Sequence, residues 1–169
     1  MFKVLISACL LGEPVRYNGT SKRTVSDILE SWQKAGRVIS TCPEVAGGMP
    51  VPRRRAEIDG GDGADVLQGN TFVVDDCGVD VSTEFIAGAN KVLKTAKNVK
   101  VALAVLKEGS PSCGSNTIYN GKFNGIRVTG MGVTARLLQK NGVPVFNEHQ
   151  FREADLFLKG LEDGQKSQS

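Results

Sequence analysis

Short apolar runs alternate along the chain with segments whose apolar residues recur at helical spacing. Residues 3–8 form a β-branched run that stops at Cys9, and residues 37–41 repeat the form and stop at Cys42. Both read as buried strands. Between them, residues 24–34 place Val25, Ile28, Leu29 and Trp32 at helical spacing, with Thr20 or Ser21 as the cap and Gly36 as the stop. A second helix starts at Asp80 or Ser82 and carries Phe85, Ile86, Ala89, Val92 and Leu93 on one face, ahead of an all-apolar strand over residues 101–106. The pattern repeats with a helix over 133–140, Gly142 as its stop, and a strand over 143–146. A last helix begins at Asn147, where Gln150 completes a capping-box spacing, and carries Phe151, Ala154, Leu156, Phe157 and Leu158.

Strands that alternate with helices predict an α/β fold, because right-handed crossovers return each strand to the same sheet. The expected architecture is a single domain over 1–162 with an open, mostly parallel, Rossmann-like sheet and helices on both faces. A polar, frayed tail follows over 163–169. The Gly/Pro-rich stretch 50–78 breaks the rhythm: Val66-Leu67 and Phe72-Val73-Val74 flank Gln68-Gly69-Asn70-Thr71, which predicts a hairpin or a long excursion near the site.

At 169 residues the chain can bury a core without disulfide staples. No apolar run approaches the roughly 18 residues of a membrane span, and Met1-Phe2-Lys3 leads into Val4-Leu5-Ile6 without the pattern of a secretory signal. The cytoplasm is therefore the expected compartment, and four widely spaced cysteines there read as metal-binding or catalytic before they read as disulfides. A net charge of +3 predicts neither a membrane nor a nucleic-acid partner. The one basic run, Arg53-Arg54-Arg55, reads as a solvated stretch or as a phosphate-contacting patch.

Candidate chemistry gathers where strands end. Cys9, Cys42 and Cys113 each follow a predicted parallel strand directly or within a short loop, and ligands of open α/β sheets bind outside those carboxyl ends. Three thiolates suit a [4Fe–4S] cluster whose fourth iron stays open to a substrate atom; buried cysteines that act only as small hydrophobes remain an equal alternative on residue types alone. Cys77, among Asp75 and Asp76, reads as a bystander. Glu44 lies two residues from Cys42, where a dry pocket would fit it for proton transfer. The turn Ser110-Pro111-Ser112 before Cys113 offers hydroxyls to water or a substrate oxygen, or simply caps itself. Gly130 to Thr134 opens a helix whose amides would receive an anion, or forms a plain loop. His149, the only histidine, is given no catalytic role.

The segments Val4 to Gly12, Cys42-Pro43-Glu44 with Gly47-Gly48 and Pro52-Arg53, Gly61-Asp62-Gly63, and Ser110-Pro111-Ser112-Cys113-Gly114, in this order, resemble the bacterial thiouracil desulfidase family. Gly130 to Ala135 fits as well, and the resemblance runs from about Val4 to Glu148. It implies a [4Fe–4S] cluster on Cys9, Cys42 and Cys113, a cofactor prone to loss in air, with Glu44 as the proton carrier and Ser110 as the hydroxyl that assists hydrolysis. Ser112, Arg53 and Gly132 are the candidate substrate contacts. The implied substrate is a small thiolated pyrimidine, as the base or a nucleotide, converted to uracil chemistry with release of hydrogen sulfide. Asn18 and Asn120 depart from the acidic residue of many relatives, which bears on substrate preference more than on the cluster.

Two competing readings stand beside this one. A Cys-dependent or zinc hydrolase would require a phosphate-cradling loop ending in Arg after Cys9, but Leu10-Leu11-Gly12-Glu13-Pro14 offers none before Arg16. A non-catalytic iron–sulfur or zinc sensor acting on a partner would show a broad basic face, and the charge here is scattered.

Overall fold

Val4, Leu5 and Ile6 have no solvent exposure at all, and neither do Leu103, Ala104, Val105 and Leu106. Strands buried on both faces are the mark of a parallel sheet covered by helices, and the computed structural model, which describes residues 1–167, has that form. In chain order its elements are β1 (Lys3–Ser7), α1 (Asp27–Lys34), β2 (Val38–Thr41), α2 (Pro43–Ala46), β3 (Ala56–Ile58), α3 (Gly63–Gln68), β4 (Val73–Asp75), α4 (Ser82–Asn98), β5 (Val101–Leu106), β6 (Thr117–Tyr119), β7 (Arg127–Thr129), α5 (Val133–Lys140), β8 (Val145–Asn147) and α6 (Phe151–Lys166), with a 3-10 turn, Ala8–Leu11, directly after β1. The central sheet has the order β2-β1-β5-β8, and all three of its pairings are parallel.

Alternate residues of each strand face opposite layers. Val4, Ile6, Leu103 and Val105 pack with Leu29 and Trp32 of α1 and Phe151, Ala154 and Leu158 of α6. Leu5, Ala104 and Leu106 pack on the other side with Val92 and Ala96 of α4 and Ala135 and Leu138 of α5. Burying each large side chain of these layers stabilises by about 2 kcal/mol. The expected α/β architecture with helices on both faces is the one found.

A third cluster lies beyond the sheet, where Ile58, Val66 and Val73 pack on Phe85 and Ala89 of α4 and Val133 of α5. It is the core of the 50–78 excursion. β3 and β4 pair as an antiparallel hairpin, but Val66 and Leu67 belong to α3, which fills the connection. Asp62 and Asp65 form a complete capping box there, and Gly69, at φ +77, ends the helix. A second hairpin, β6 with β7, was not anticipated, although two Asn-Gly dipeptides at Asn120 and Asn124 carry its turn signal. Each asparagine side chain accepts the amide two residues on, from Lys122 and Ile126.

Helix ends depart from expectation where tertiary contacts decide them. α1 starts at Asp27, with the Ser26 hydroxyl accepting the Leu29 amide, and Val25 is 94% exposed instead of lying on the buried face. Asn147 closes β8 and does not open α6, which starts four residues later. The predicted reciprocity survives in part, because Gln150 Oε1 accepts the Asn147 amide at 3.1 Å. α6 continues past Asp163 to Lys166, so the tail does not fray where its polarity suggested; residues 168 and 169 lie outside the described part.

Candidate active site

β1, β2 and β5 run parallel, so their carboxyl ends deliver three loops to one edge. Cys9 sits in the 3-10 turn after β1. Cys42 directly follows β2 and caps α2. Cys113 lies in the turn after β5, five residues beyond Glu108. The three thiols line one recess of about 50 Å³ together with Glu44, Lys107 and Ser110. This recess shares the walls Arg16, Glu44, Arg53, Lys107 and Ser110 with an outer cleft of about 390 Å³. All four cysteines are free thiols, and Cys77 is exposed in the turn after β4, apart from the other three.

Each loop has its own support. Gly47 of the α2 end and Gly88 of α4 meet backbone to backbone: a Cβ at Gly47 would lie 2.0 Å from the Glu84 carbonyl oxygen, and one at Gly88 would lie 1.9 Å from that of Pro43. Only glycine permits this approach, which fixes the helix that Cys42 caps. The Cys113 turn is tied by Ser110 Oγ, which accepts the amides of Ser112 at 3.1 Å and Cys113 at 3.2 Å. Behind it, the buried Glu108 carboxylate accepts four backbone amides, from Gly109, Ser115, Asn116 and Thr117. It also accepts the Ser115 hydroxyl and the Asn147 side-chain amide. Burial alone would raise the Glu108 carboxyl, but these donors outweigh it and hold it below the usual carboxylate range.

Burial also dominates the thiols. It pushes Cys9 up to about 11, with Cys42 adding to the shift while Lys107 and Arg16 oppose it. Cys42 rises by burial despite hydrogen bonds from the Val45 and Glu44 amides, and Cys113 rises furthest through burial, then through Cys42 and Cys9. Cys42 thus opposes the ionisation of both Cys9 and Cys113, and Cys9 opposes that of Cys113. Glu44 is lifted by burial against the pull of Arg53, whose Nε lies 3.1 Å from Glu44 Oε1.

Residues 4–150 match the 2-thiouracil desulfurase family. The chain belongs to this family. The Bacillus subtilis (strain 168) protein YbbK, uncharacterized, is 42% identical over 150 residues, which span 89% of this chain and 98% of YbbK. A solved structure of the [4Fe-4S]-dependent thiouracil desulfidase TudS (DUF523Vcz) is 45% identical, with a TM-score of 0.87 over 94% of this chain and 99% of that one. The family resemblance carried by the sequence motifs and the α/β fold class both agree with these matches.

Within this desulfurase fold, Cys9, Cys42, Cys113, Glu44, Arg53 and Ser110 come together on the recess. Ser112 and Gly132 do not reach it. A Cβ on Gly132 would lie 2.4 Å from the Ser112 carbonyl carbon, so the two residues pack backbone against backbone. The first amides of α5, from Val133, Thr134 and Ala135, donate to the carbonyls of Pro111 and Ser112, which occupies the anion site expected at Gly130 to Thr134. Gly61-Asp62-Gly63 is likewise a packing motif: Gly63 donates its amide to the Met131 carbonyl at 2.7 Å.

The basic run divides by side. Arg53 and Arg55 line the cleft and Arg54 does not; Arg54 and Arg55 both pair with Asp76, at 3.1 and 3.7 Å. His149 lines neither the recess nor the cleft. Sequence reasoning missed Lys107, Lys22, Tyr17, Tyr119, Arg127 and Glu57 on these walls. Lys107 carried a usable signal, since it directly follows the strand 101–106. Arg127 and Tyr119 came with the overlooked hairpin. No sequence pattern announced Glu57, whose Oε1 accepts the Gly121 and Phe123 amides and so ties that hairpin to β3. Among the described residues no three His, Cys, Asp or Glu side chains gather closely enough to hold one metal ion, and no helix is long and apolar enough to cross a membrane.

Proposed function

We propose that this chain is an iron–sulfur-dependent desulfidase that hydrolyses the C=S group of a thiolated uracil, as base or nucleotide, to C=O with release of hydrogen sulfide. The observation that carries the reading is that two buried thiols, a half-buried one, a carboxylate and a serine hydroxyl line one recess. Cys9, Cys42 and Cys113 would hold a [4Fe–4S] cluster, which supplies an iron with no protein ligand as a Lewis acid toward sulfur.

The chain's own residues divide the remaining work. Ser110 Oγ already accepts two amides, so its O–H is left to donate to a water or a substrate oxygen. Glu44 gives one oxygen to Arg53, and its other oxygen takes the proton of the attacking water and returns it to the leaving sulfur. Water's oxygen forms the new bond to carbon, the C–S bond breaks, one water proton leaves with sulfur as hydrosulfide, the other passes through Glu44 to solvent, and nothing is oxidised or reduced. Thiol-held iron also suits the reducing cytoplasm.

The outer cleft favours a nucleotide. Its walls carry Arg16, Lys22, Arg53, Arg55, Lys107 and Arg127 against Glu44, Glu57 and Glu108. All three carboxylates are committed, to Arg53 or to backbone amides. Arg53, Arg55 and Lys107 are ion-paired with Glu44, Asp76 and Glu148, and Arg16, Lys22 and Arg127, outside these pairs, fit a phosphate. Tyr17 and Tyr119, each beside an arginine guanidinium, offer flat surfaces to a pyrimidine.

Protein reconstituted without oxygen and mixed with 4-thiouracil or 4-thiouridine monophosphate tests this reading. A brown protein that bleaches either thio-compound and releases sulfide is expected, and Glu44→Gln should keep its iron while losing at least about 100-fold in kcat. A brown protein inert toward both compounds sinks the desulfidase reading.

A further inference from the structure

We propose that Lys107 is the residue that holds the departing hydrosulfide, and that Glu148 positions it; the assignment rests on the desulfidase reading above. Hydrolysis of C=S leaves the site with an anion to release, since hydrogen sulfide gives up its first proton near neutral pH. Three cations line the recess, Arg16, Arg53 and Lys107. Arg53 is held by Glu44 and by the Pro50 carbonyl. Arg16 reaches outward, with its Nη1 3.4 Å from the Thr20 hydroxyl and its guanidinium over Tyr17. Lys107 differs from both.

Its ammonium has three hydrogens. Glu148 Oε1 accepts one at 2.5 Å and the Glu108 carbonyl accepts another at 2.9 Å, which leaves one donor unspent. Glu148 is fixed in turn, because its Oε2 accepts the Glu108 amide at 2.8 Å, and its side chain is only 9% exposed. Glu148 lines neither the recess nor the cleft, whereas Lys107 lines both. The carboxylate therefore holds the ammonium from outside both spaces, and Lys107 is a wall shared by the recess and the cleft through which a small anion would leave. The other end of Lys107 is pinned as well, its backbone amide donating to the Ser7 hydroxyl at 2.9 Å. A long, flexible side chain held at both ends loses little entropy on meeting a ligand. The neighbouring charges are Glu44 and Arg53 from the β2 side, Arg16 from the β1 side, and Glu108 and Glu148 behind.

The test reads sulfide binding, not turnover alone. Iron-loaded wild type, Lys107→Met, Lys107→Arg and Glu148→Gln are titrated with sodium sulfide in the absence of substrate and followed by visible absorption. Lys107→Met should keep its iron and bind sulfide at least about tenfold more weakly, the loss of one charge-assisted hydrogen bond. Lys107→Arg should stay near wild type, and Glu148→Gln should fall between. In turnover, Lys107→Met should lose kcat with KM for the thio-base little changed. Equal sulfide affinity in wild type and Lys107→Met overturns the assignment while leaving the desulfidase reading in place. Sulfide binding that depends on Lys107, in a protein that leaves both thio-compounds intact, does the reverse. Should Lys107→Met lose its iron, Glu148→Gln carries the comparison, and unchanged sulfide affinity there overturns the proposal.

Discussion

The three cysteines of the recess are held by three different devices, and each device acts on a single residue. The Cys9 carbonyl accepts the amides of Gly12 at 3.2 Å and Lys22 at 2.9 Å, which anchors the turn after β1. Cys42 takes its place from the cap of α2, and Cys113 takes its place from the Ser110 hydroxyl. Replacing any of the three by Ser should abolish iron binding, because serine oxygen is a poor ligand for iron that thiolates hold. Cys77→Ser should retain full iron content, since that thiol is exposed and lies outside the recess. Iron and acid-labile sulfide assays on the four variants check both statements, and equal loss with Cys77→Ser would refute the ligand set.

Two contacts behind the recess set its geometry. α2 can approach α4 only because Gly47 and Gly88 lack a Cβ. Gly88→Ala should therefore destabilise by about 1–3 kcal/mol through overpacking, and should lower iron content by displacing the Cys42 cap. Thermal unfolding together with iron analysis measures the two effects, and unchanged iron content would separate α4 from the site. The loop from Glu108 to Thr117 depends on one carboxylate. Glu108→Ala leaves its buried donors unmet and should cost about 3 kcal/mol. Its titration adds a sign: a carboxyl held low in the folded state stabilises above the ordinary glutamate value of about 4.3, and that stabilisation is lost as pH falls through the folded value. The stability advantage of wild type over Glu108→Gln should accordingly be full at neutral pH and shrink below about pH 4, as denaturant titrations at a series of pH values would measure.

Across the whole molecule the net charge is only +3, yet six basic side chains line one cleft. Local concentration, not total charge, is what steers an anionic substrate. The value of kcat/KM for 4-thiouridine monophosphate should fall steeply between low salt and about 0.15 M, where the screening length is near 8 Å. For neutral 4-thiouracil it should hardly change. Parallel salt series with the two substrates make the comparison, and identical slopes would remove the phosphate from the cleft. The same architecture explains how a small recess serves such a substrate: the thiols sit at the sheet edge, while the cleft is walled by β3 and the β6–β7 hairpin, bound together by Glu57.

The succession of the central sheet's strands with α1, α4, α5 and α6, the α/β class, the two-sided burial of residues 101–106 and the placement of Cys9 and Cys42 at strand ends were all legible in the chain. Hydrophobic period is a local property, and a parallel sheet sends every such end to one edge. Cys42-Pro43-Glu44 and Ser110-Pro111-Ser112-Cys113-Gly114 carried the family for the same reason, as contiguous motifs. Helix ends such as Asp27 and Phe151 were not legible, because caps compete with tertiary contacts at the margins of a helix. Neither were Lys107 with Glu148, 41 residues apart, nor Glu57 with the hairpin amides, 64 and 66 residues away. The filling of the α5 amides by Pro111 and Ser112 was equally hidden. Hydrogen-bond partners across such separations are chosen by strand order and by the close approach of backbones, and only the folded chain brings them within reach.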